Sequence, residues 1–209
     1  MVTDIPLDFD EFMVLLDDCF VHEYEAIRAF HACRPVCLDA YRRKGILQHS
    51  LELIEQLAVE AFGEYSTQDK IISAIIFISE TTRYRVTDSG GVYCFTNQIH
   101  PVERGRNQYL RYGSEHLKLV ANQLNLDGKG ILNGRGTAQL IEVHVPISSV
   151  DFEYRVDFWR TMLTWHFKSE ANSPASNEDV PSCFKTLGSI SPDCIVGFIP
   201  VDDSTPQFW

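Results

Sequence analysis

The sequence contains no apolar run long enough to cross a membrane. A bilayer-spanning helix needs about 20 consecutive, predominantly apolar residues, and no such run occurs in the 209-residue chain. The N-terminus, MVTDIPLDFDEF, is acidic and lacks the basic segment with which a signal peptide begins. We therefore expect a cytoplasmic protein with no membrane partner.

Positive charge is also scarce. The chain has 18 Lys and Arg residues against 29 Asp and Glu residues, and its formal net charge is -11. Since proteins bind nucleic acids largely through basic surfaces, this balance argues against a nucleic acid as the partner. It suits docking on a basic protein instead.

The familiar metal and nucleotide motifs are missing as well. The six cysteines lack the paired spacing of a zinc site, so we expect reduced thiols and no metal. The glycine-rich segment DGKGILNGRGT, residues 127–137, lacks the Gly-Lys-Ser/Thr ending of a P-loop, and no clear strand leads into it as in a dinucleotide fingerprint. We predict a loop there.

What is present is a mixture of amphipathic helices and short, separated strands, which indicates a single α+β domain over residues 1–209. The apolar spacing predicts helices at 8–28, 38–44, 50–63, 67–79, from about 114, and at 150–168. It predicts strands at 29–34, 91–97, 137–147 and 195–199. Residues 169–182 would be a mobile surface loop.

Three groups of residues in this pattern could carry chemistry. His31, Cys33 and Arg34 end the first predicted strand, where a purely apolar core strand would not place them together. Tyr93 lies on the strand GVYCFTN. The third group is the junction YLRYGSEHL, followed later by a glutamate in an apolar strand.

The junction has two interpretations. Tyr112 offers a flat stacking surface, Ser114 can cap the helix or touch a ligand, and Glu115 suits the first helical turn. A well-capped helix explains these residues without a ligand. Glu142 also has two interpretations. Its face of the strand is either a solvent-exposed edge or the lining of a cleft.

The order of these elements resembles the ADP-ribosyltransferase superfamily, which includes the diphtheria-toxin-like enzymes, the poly(ADP-ribose) polymerases and the DarT-type toxins. The matching features are a first strand bearing His, a helix ending in Gly, the VYCFTN strand, a tyrosine at a helix start and a strand bearing Glu. The resemblance covers about residues 27–147 and 187–200, and it implies that the predicted helix at residues 8–28 is an N-terminal addition. It implies a split, antiparallel or mixed, clamp-like β core that binds NAD without a Rossmann motif.

The resemblance also implies roles for particular residues. His31 would hydrogen-bond a ribose of NAD, Arg34 would reach a phosphate, and Tyr112 would stack on nicotinamide. Glu142 would stabilise the oxocarbenium-like transition state, with Glu115 as its rival.

Cys33, Tyr93 and Ser114 would complete the NAD-binding surface. NAD would be the substrate, and the acceptor of ADP-ribose would be a macromolecule, most simply a protein, as for a toxin or effector.

Two other functions compete with this interpretation. The acidic chain could be a non-enzymatic binding or inhibitor protein of the immunity or anti-defence type. Cys33 and His31, two residues apart on a strand, could also form part of a thiol enzyme. Convergence of His31, Tyr112 and Glu142 on one cleft would favour the transferase.

Overall fold

The computed structural model describes residues 8–81, 90–102, 108–170 and 183–202. Eight α-helices lie within these ranges: α1 Phe9–Glu23, α2 Leu38–Lys44, α3 Leu51–Phe62, α4 Gln68–Thr81, α5 Gln108–Tyr112, α6 Glu115–Gln123, α7 Gly128–Asn133 and α8 Phe152–Glu170. Five strands accompany them: β1 Ala26–Cys33, β2 Tyr93–Phe95, β3 Gln139–Pro146, β4 Cys183–Lys185 and β5 Ile195–Pro200.

The strands form one antiparallel sheet in the order β4-β2-β1-β3-β5. Its centre is the pair β1 and β3, which runs in register from Ala26 opposite Pro146 to Cys33 opposite Gln139. A bulge between Glu142 and Val143 interrupts the pairing of β3 with β5. This sheet confirms the expected α+β class.

Both faces of the central strands are covered, because successive side chains point to opposite sides of a strand. One face buries Ala29, Val143 and Val145. The other buries Ala32 and Leu140, against which Leu110 of α5 packs.

The helices between β1 and β3 form a core of their own. Helices α3, α4, α6 and α7 bury the apolar residues Ile54, Phe62, Ile71, Val120 and Leu132 against one another. The predicted start of α3 is confirmed, since the Ser50 hydroxyl accepts a hydrogen bond from the Leu53 amide at 3.2 Å. Elsewhere, α1 packs against α8 through Met13 and Trp159.

Several predicted boundaries are wrong. Helix α1 ends at Glu23, because Tyr24 is extended and Ala26 already pairs with Pro146 of β3. The first strand is therefore longer than predicted and begins at residue 26. Strand β4 was not predicted; its three residues pair with β2.

The glycine-rich segment 127–137 is not a loop throughout. Residues Gly128–Asn133 form α7, whose start is stabilised by the Asp127 carboxylate accepting from the Gly130 amide at 3.0 Å. Helix α8 extends to Glu170, two residues into the predicted surface loop. The rest of that predicted loop, 171–182, lies outside the described residues.

No helix in the described part of the chain combines the length and apolar character needed to cross a bilayer.

Candidate functional site

A cavity of about 640 Å³ lies between the end of the sheet and the helices that follow β1. Ligand sites in proteins have volumes of about 300–1,000 Å³ and combine apolar walls with a few polar groups. Here the walls come from two strands, β1 and β2, and from five helices, α2, α3, α5, α6 and α7. The cavity therefore has both the size and the composition of a small-molecule site.

Six of the eight residues singled out in the sequence line this cavity. They are His31, Arg34, Tyr93, Tyr112, Ser114 and Glu115. They come from four separate elements because β1 ends beside the junction of α5 and α6, while β2 pairs with β1. The fold does not bring the other two residues, Cys33 and Glu142, into the lining.

His31 is held as a neutral imidazole in one tautomer. Its Nδ1 lies 3.0 Å from the main-chain carbonyl oxygen of Tyr93. Because a carbonyl only accepts, Nδ1 carries the hydrogen and Nε2 is left as an acceptor. Burial lowers the pKa of His31 to about 4, and nearby His49 adds to this, although the hydrogen bond to Tyr93 opposes it. At neutral pH the ring therefore offers an acceptor rather than a charge.

The Arg34 side chain binds main-chain carbonyls of other segments. Its guanidinium donates to three main-chain carbonyls, those of Leu110 at 3.1 Å, Asn133 at 2.7 Å and Arg135 at 3.0 Å. These bonds tie the end of β1 to α5 and to the end of α7. Much of the donor capacity expected to reach a phosphate is thus engaged within the chain.

Tyr112 lies on the cavity wall at the point where α5 turns into α6. The next residue, Gly113, has φ of +72°, a conformation that a residue with a Cβ adopts only with strain. A Cβ there would also come within 3.4 Å of the Arg34 carbonyl oxygen. The glycine therefore removes a steric conflict at this turn, and it lets α5 approach the end of β1.

Ser114 and Glu115 lie at the start of α6. Ser114 occupies the N-cap position and is buried, but its side chain makes no capping hydrogen bond. Glu115 is half-buried in the first turn and lines the cavity. A simple capping role therefore leaves the placement of the Ser114 hydroxyl unexplained.

Glu142 lies on the opposite face of the sheet from His31. His31 is paired with Ile141, whereas Glu142 is paired with Phe30, so the two side chains point to different sides. The Glu142 carboxylate accepts a hydrogen bond from Arg28 Nε at 2.7 Å. The expected convergence of His31, Tyr112 and Glu142 on one cleft is thus not formed, and Glu115 is the rival carboxylate that reaches the cavity.

Cys33 is buried and does not line the cavity. Its thiol lies 3.8 Å from the Gln139 carbonyl oxygen, and burial raises the pKa of Cys33 to about 12. A thiol that stays protonated at neutral pH is a poor nucleophile. The geometry therefore gives the thiol-enzyme alternative no active thiolate at this position.

Sequence reasoning missed two histidines in the lining, His49 and His116. Their ring centroids are 5.2 Å apart and their planes are almost perpendicular, at 88°. Burial lowers the pKa of both, that of His49 to about 4 with a contribution from His116. Nothing in the sequence links them, since they lie 67 positions apart before α3 and in the first turn of α6.

The charged groups of the lining are partly paired. Arg135 Nη2 and Glu60 Oε1 form an ion pair at 3.0 Å. Lys44, at the end of α2, lines the cavity and forms no ion pair with another residue of the described ranges. It is therefore a cation that an anionic ligand can reach.

No group of three or more His, Cys, Asp and Glu side chains in the described ranges is arranged to hold a metal ion.

Comparisons with protein-family models, with curated proteins and with solved structures each found no match for this chain.

Proposed function

We propose that the cavity binds NAD and that the protein transfers ADP-ribose from it to a macromolecular acceptor. The observation that carries this proposal is the common cavity of His31, Tyr93, Tyr112 and Glu115, which come from distant parts of the chain. The cavity also offers aromatic rings, an acceptor nitrogen, a carboxylate and a cation, which are the groups that a dinucleotide would use.

Each group has a task in this proposal. The neutral His31 accepts a hydrogen bond from a ribose hydroxyl through Nε2, because Nδ1 is occupied by the Tyr93 carbonyl. Tyr112 presents its ring to the nicotinamide. Lys44 takes the diphosphate in place of Arg34, whose guanidinium binds main-chain carbonyls.

The reaction breaks the bond between the ribose C1′ and the nicotinamide nitrogen. The electron pair of that bond leaves with nicotinamide, and positive charge develops on the ribose. A carboxylate fixed beside the ribose stabilises this charge without reorganising, and Glu115 supplies it. An acceptor nucleophile then bonds to C1′ and gives up its proton to that carboxylate or to water.

The test is NAD binding by calorimetry together with nicotinamide release by chromatography, using the full chain. We expect His31→Ala and Glu115→Gln to lower nicotinamide release by about 100-fold or more, as for removal of a group that stabilises a transition state. Glu142→Gln, on the other face of the sheet, should retain activity. Glu153→Gln, an exposed glutamate in the first turn of α8, is the matched control.

Two results would overturn parts of this proposal. Absence of binding at millimolar NAD in a folded sample would remove the NAD function. Loss of activity in Glu142→Gln with full activity in Glu115→Gln would return the catalytic role to Glu142.

A non-enzymatic acidic binding protein remains the second candidate because of one surface. Helix α1 exposes Phe12 and Leu15, which are 41% and 53% exposed, beside the acidic residues Glu11 and Asp18. Such a mixed apolar and acidic face suits a partner with a basic surface. A folded protein that neither binds nor cleaves NAD would favour this function.

A further inference from the structure

We propose that His49 and His116 form a subsite for a heteroaromatic ring whose edge carries both a hydrogen-bond donor and an acceptor. Adenine and nicotinamide with its carboxamide share this chemistry. The inference rests on the proposed function in one respect, since it takes NAD as the source of the ring.

The first support is the shape of this part of the cavity. The two imidazoles pack edge to face on each other, with ring centroids 5.2 Å apart, so a ligand ring would lie against the pair and not between its members. Leu53 and Leu57 of α3 and Leu117 of α6 line the same cavity. Flat rings in a cavity that leucine side chains also line favour a planar apolar group, because stacked and edge-to-face ring contacts are both stabilising.

The second support is the hydrogen-bonding state of His49. Its imidazole lines the cavity and makes no hydrogen bond to any other residue within the described ranges. The lowered pKa of His49 keeps the ring neutral at pH 7, so that one nitrogen donates and the other accepts. A ligand edge with both functions matches this ring, whereas a donor-only or acceptor-only edge leaves one nitrogen without a partner.

The neutral state of the two imidazoles argues against a phosphate at this position. A phosphate is held by cations or by several converging N–H donors. Two neutral imidazoles supply no charge. We therefore assign the anionic part of the ligand to Lys44 and a ring of the ligand to the histidine pair.

The experiment measures binding of two probes, adenosine diphosphate and nicotinamide mononucleotide, by calorimetry. The variants are His49→Leu, which replaces the imidazole with an apolar side chain of similar size, and His49→Asn, which keeps a donor and an acceptor. His144→Leu is the matched control, because His144 is an exposed histidine of β3. Thermal unfolding of each variant establishes that it is folded.

We expect His49→Leu to weaken the binding of one probe by about five- to tenfold, the effect of losing one to two ligand hydrogen bonds. His49→Asn should restore part of that affinity, which a purely structural role for His49 would not produce. Weakened binding of adenosine diphosphate places adenine at the pair, and weakened binding of nicotinamide mononucleotide places nicotinamide there.

The failures of the two proposals are distinguishable. Unchanged binding of both probes in His49→Leu, with normal NAD cleavage, would overturn the subsite and leave the transferase function standing. Binding of adenosine diphosphate that depends on His49, without NAD cleavage, would keep the subsite and remove the transferase. A folded wild-type protein that binds neither probe would overturn both.

Discussion

At the end of β1, the Arg34 guanidinium is surrounded by three main-chain carbonyls on two other segments of the chain. The planar fork of arginine can donate to several acceptors at fixed angles, which a lysine ammonium cannot reproduce. Two of those acceptors, the carbonyls of Leu110 and Arg135, belong to residues next to or on the cavity wall. Arg34 therefore fixes the position of the wall that carries Tyr112.

Replacement of Arg34 by Lys should destabilise the protein by about 2–4 kcal/mol, because a hydrogen bond to a charged group contributes about 1.5–3 kcal/mol and at least one carbonyl loses its partner. The measurement is the free energy of unfolding in urea. Arg42→Lys is the control, since Arg42 is exposed and makes surface contacts, an ion pair with Asp39 on its own helix and a cation–π contact with the Phe198 ring. A surface pair of this kind contributes about 0–1 kcal/mol, so equal losses in both variants would contradict the assignment.

The relative placement of Glu142 and His31 could not be predicted from the sequence. Alternation along β3 places Glu142 and His144 on one face, and the pairing of β3 with β1 agrees with this. The relation of that face to His31 depends on the register between β1 and β3, which no local pattern encodes. Since both faces of these strands are covered, burial could not identify the face beside the cleft.

At the scale of elements, a buried polar network joins α1 to α8. The Asp17 carboxylate accepts hydrogen bonds from Arg155 Nε and Nη2 and from the Trp159 indole at 2.8 Å. Burial by itself raises the pKa of Asp17, but the bonds from Arg155 and Trp159 outweigh it and lower that pKa below its usual value. Phe20 of α1 stacks on Trp159 with ring centroids 4.1 Å apart.

We expect Asp17→Asn to destabilise the protein by about 3 kcal/mol, because the Arg155 guanidinium, whose side chain is only 14% exposed, then loses the charge to which it is hydrogen-bonded. Denaturant unfolding followed by tryptophan fluorescence measures this loss, since Trp159 is itself in the network. Asp18→Asn, one residue further along and exposed, should change stability by about 0.5 kcal/mol or less. A similar loss in both variants would show that the network contributes little.

The longer elements could be predicted because each repeats one pattern over many residues. Helices α3 and α4 show apolar residues at helical spacing, and β3 alternates over eight residues. Helix α7 was not predicted from the sequence. It has only six residues, and two of them are glycines, which lower helix propensity. Its Asp127 cap and its packing through Leu132 against α3, α4 and α6 outweigh that propensity.

At the scale of the whole molecule, the cavity lies where the sheet meets the separate helical core. Three neutral histidines, His31, His49 and His116, come together there from β1, from the start of α3 and from α6. Burial lowers the pKa of each, so the folded protein resists protonation at sites where the unfolded chain takes up protons freely. Burial of these histidines therefore makes the free energy of unfolding depend on pH.

The sign of that dependence follows from linkage. His31 and His49 have pKa values of about 4 in the folded protein and near 6.5 in the unfolded chain. Below pH 6.5 the unfolded state binds more protons, so stability falls as the pH is lowered towards 4 and then levels off with respect to these groups. Asp17, whose pKa is lowered from 3.8, contributes a further loss only at still lower pH.

Unfolding in urea at pH 7.5 and at pH 5 should therefore differ by about 2–4 kcal/mol, allowing for the partial access of solvent to the cavity. The double variant His31→Gln and His49→Gln removes both groups, so its stability should change much less between these two pH values even if it is lower at both. His22→Gln, an exposed histidine of α1, should keep the wild-type pH dependence. A wild-type profile in the double variant would show that other groups set the acid sensitivity, and that the cavity histidines are protonated as readily in the folded protein as in the unfolded chain.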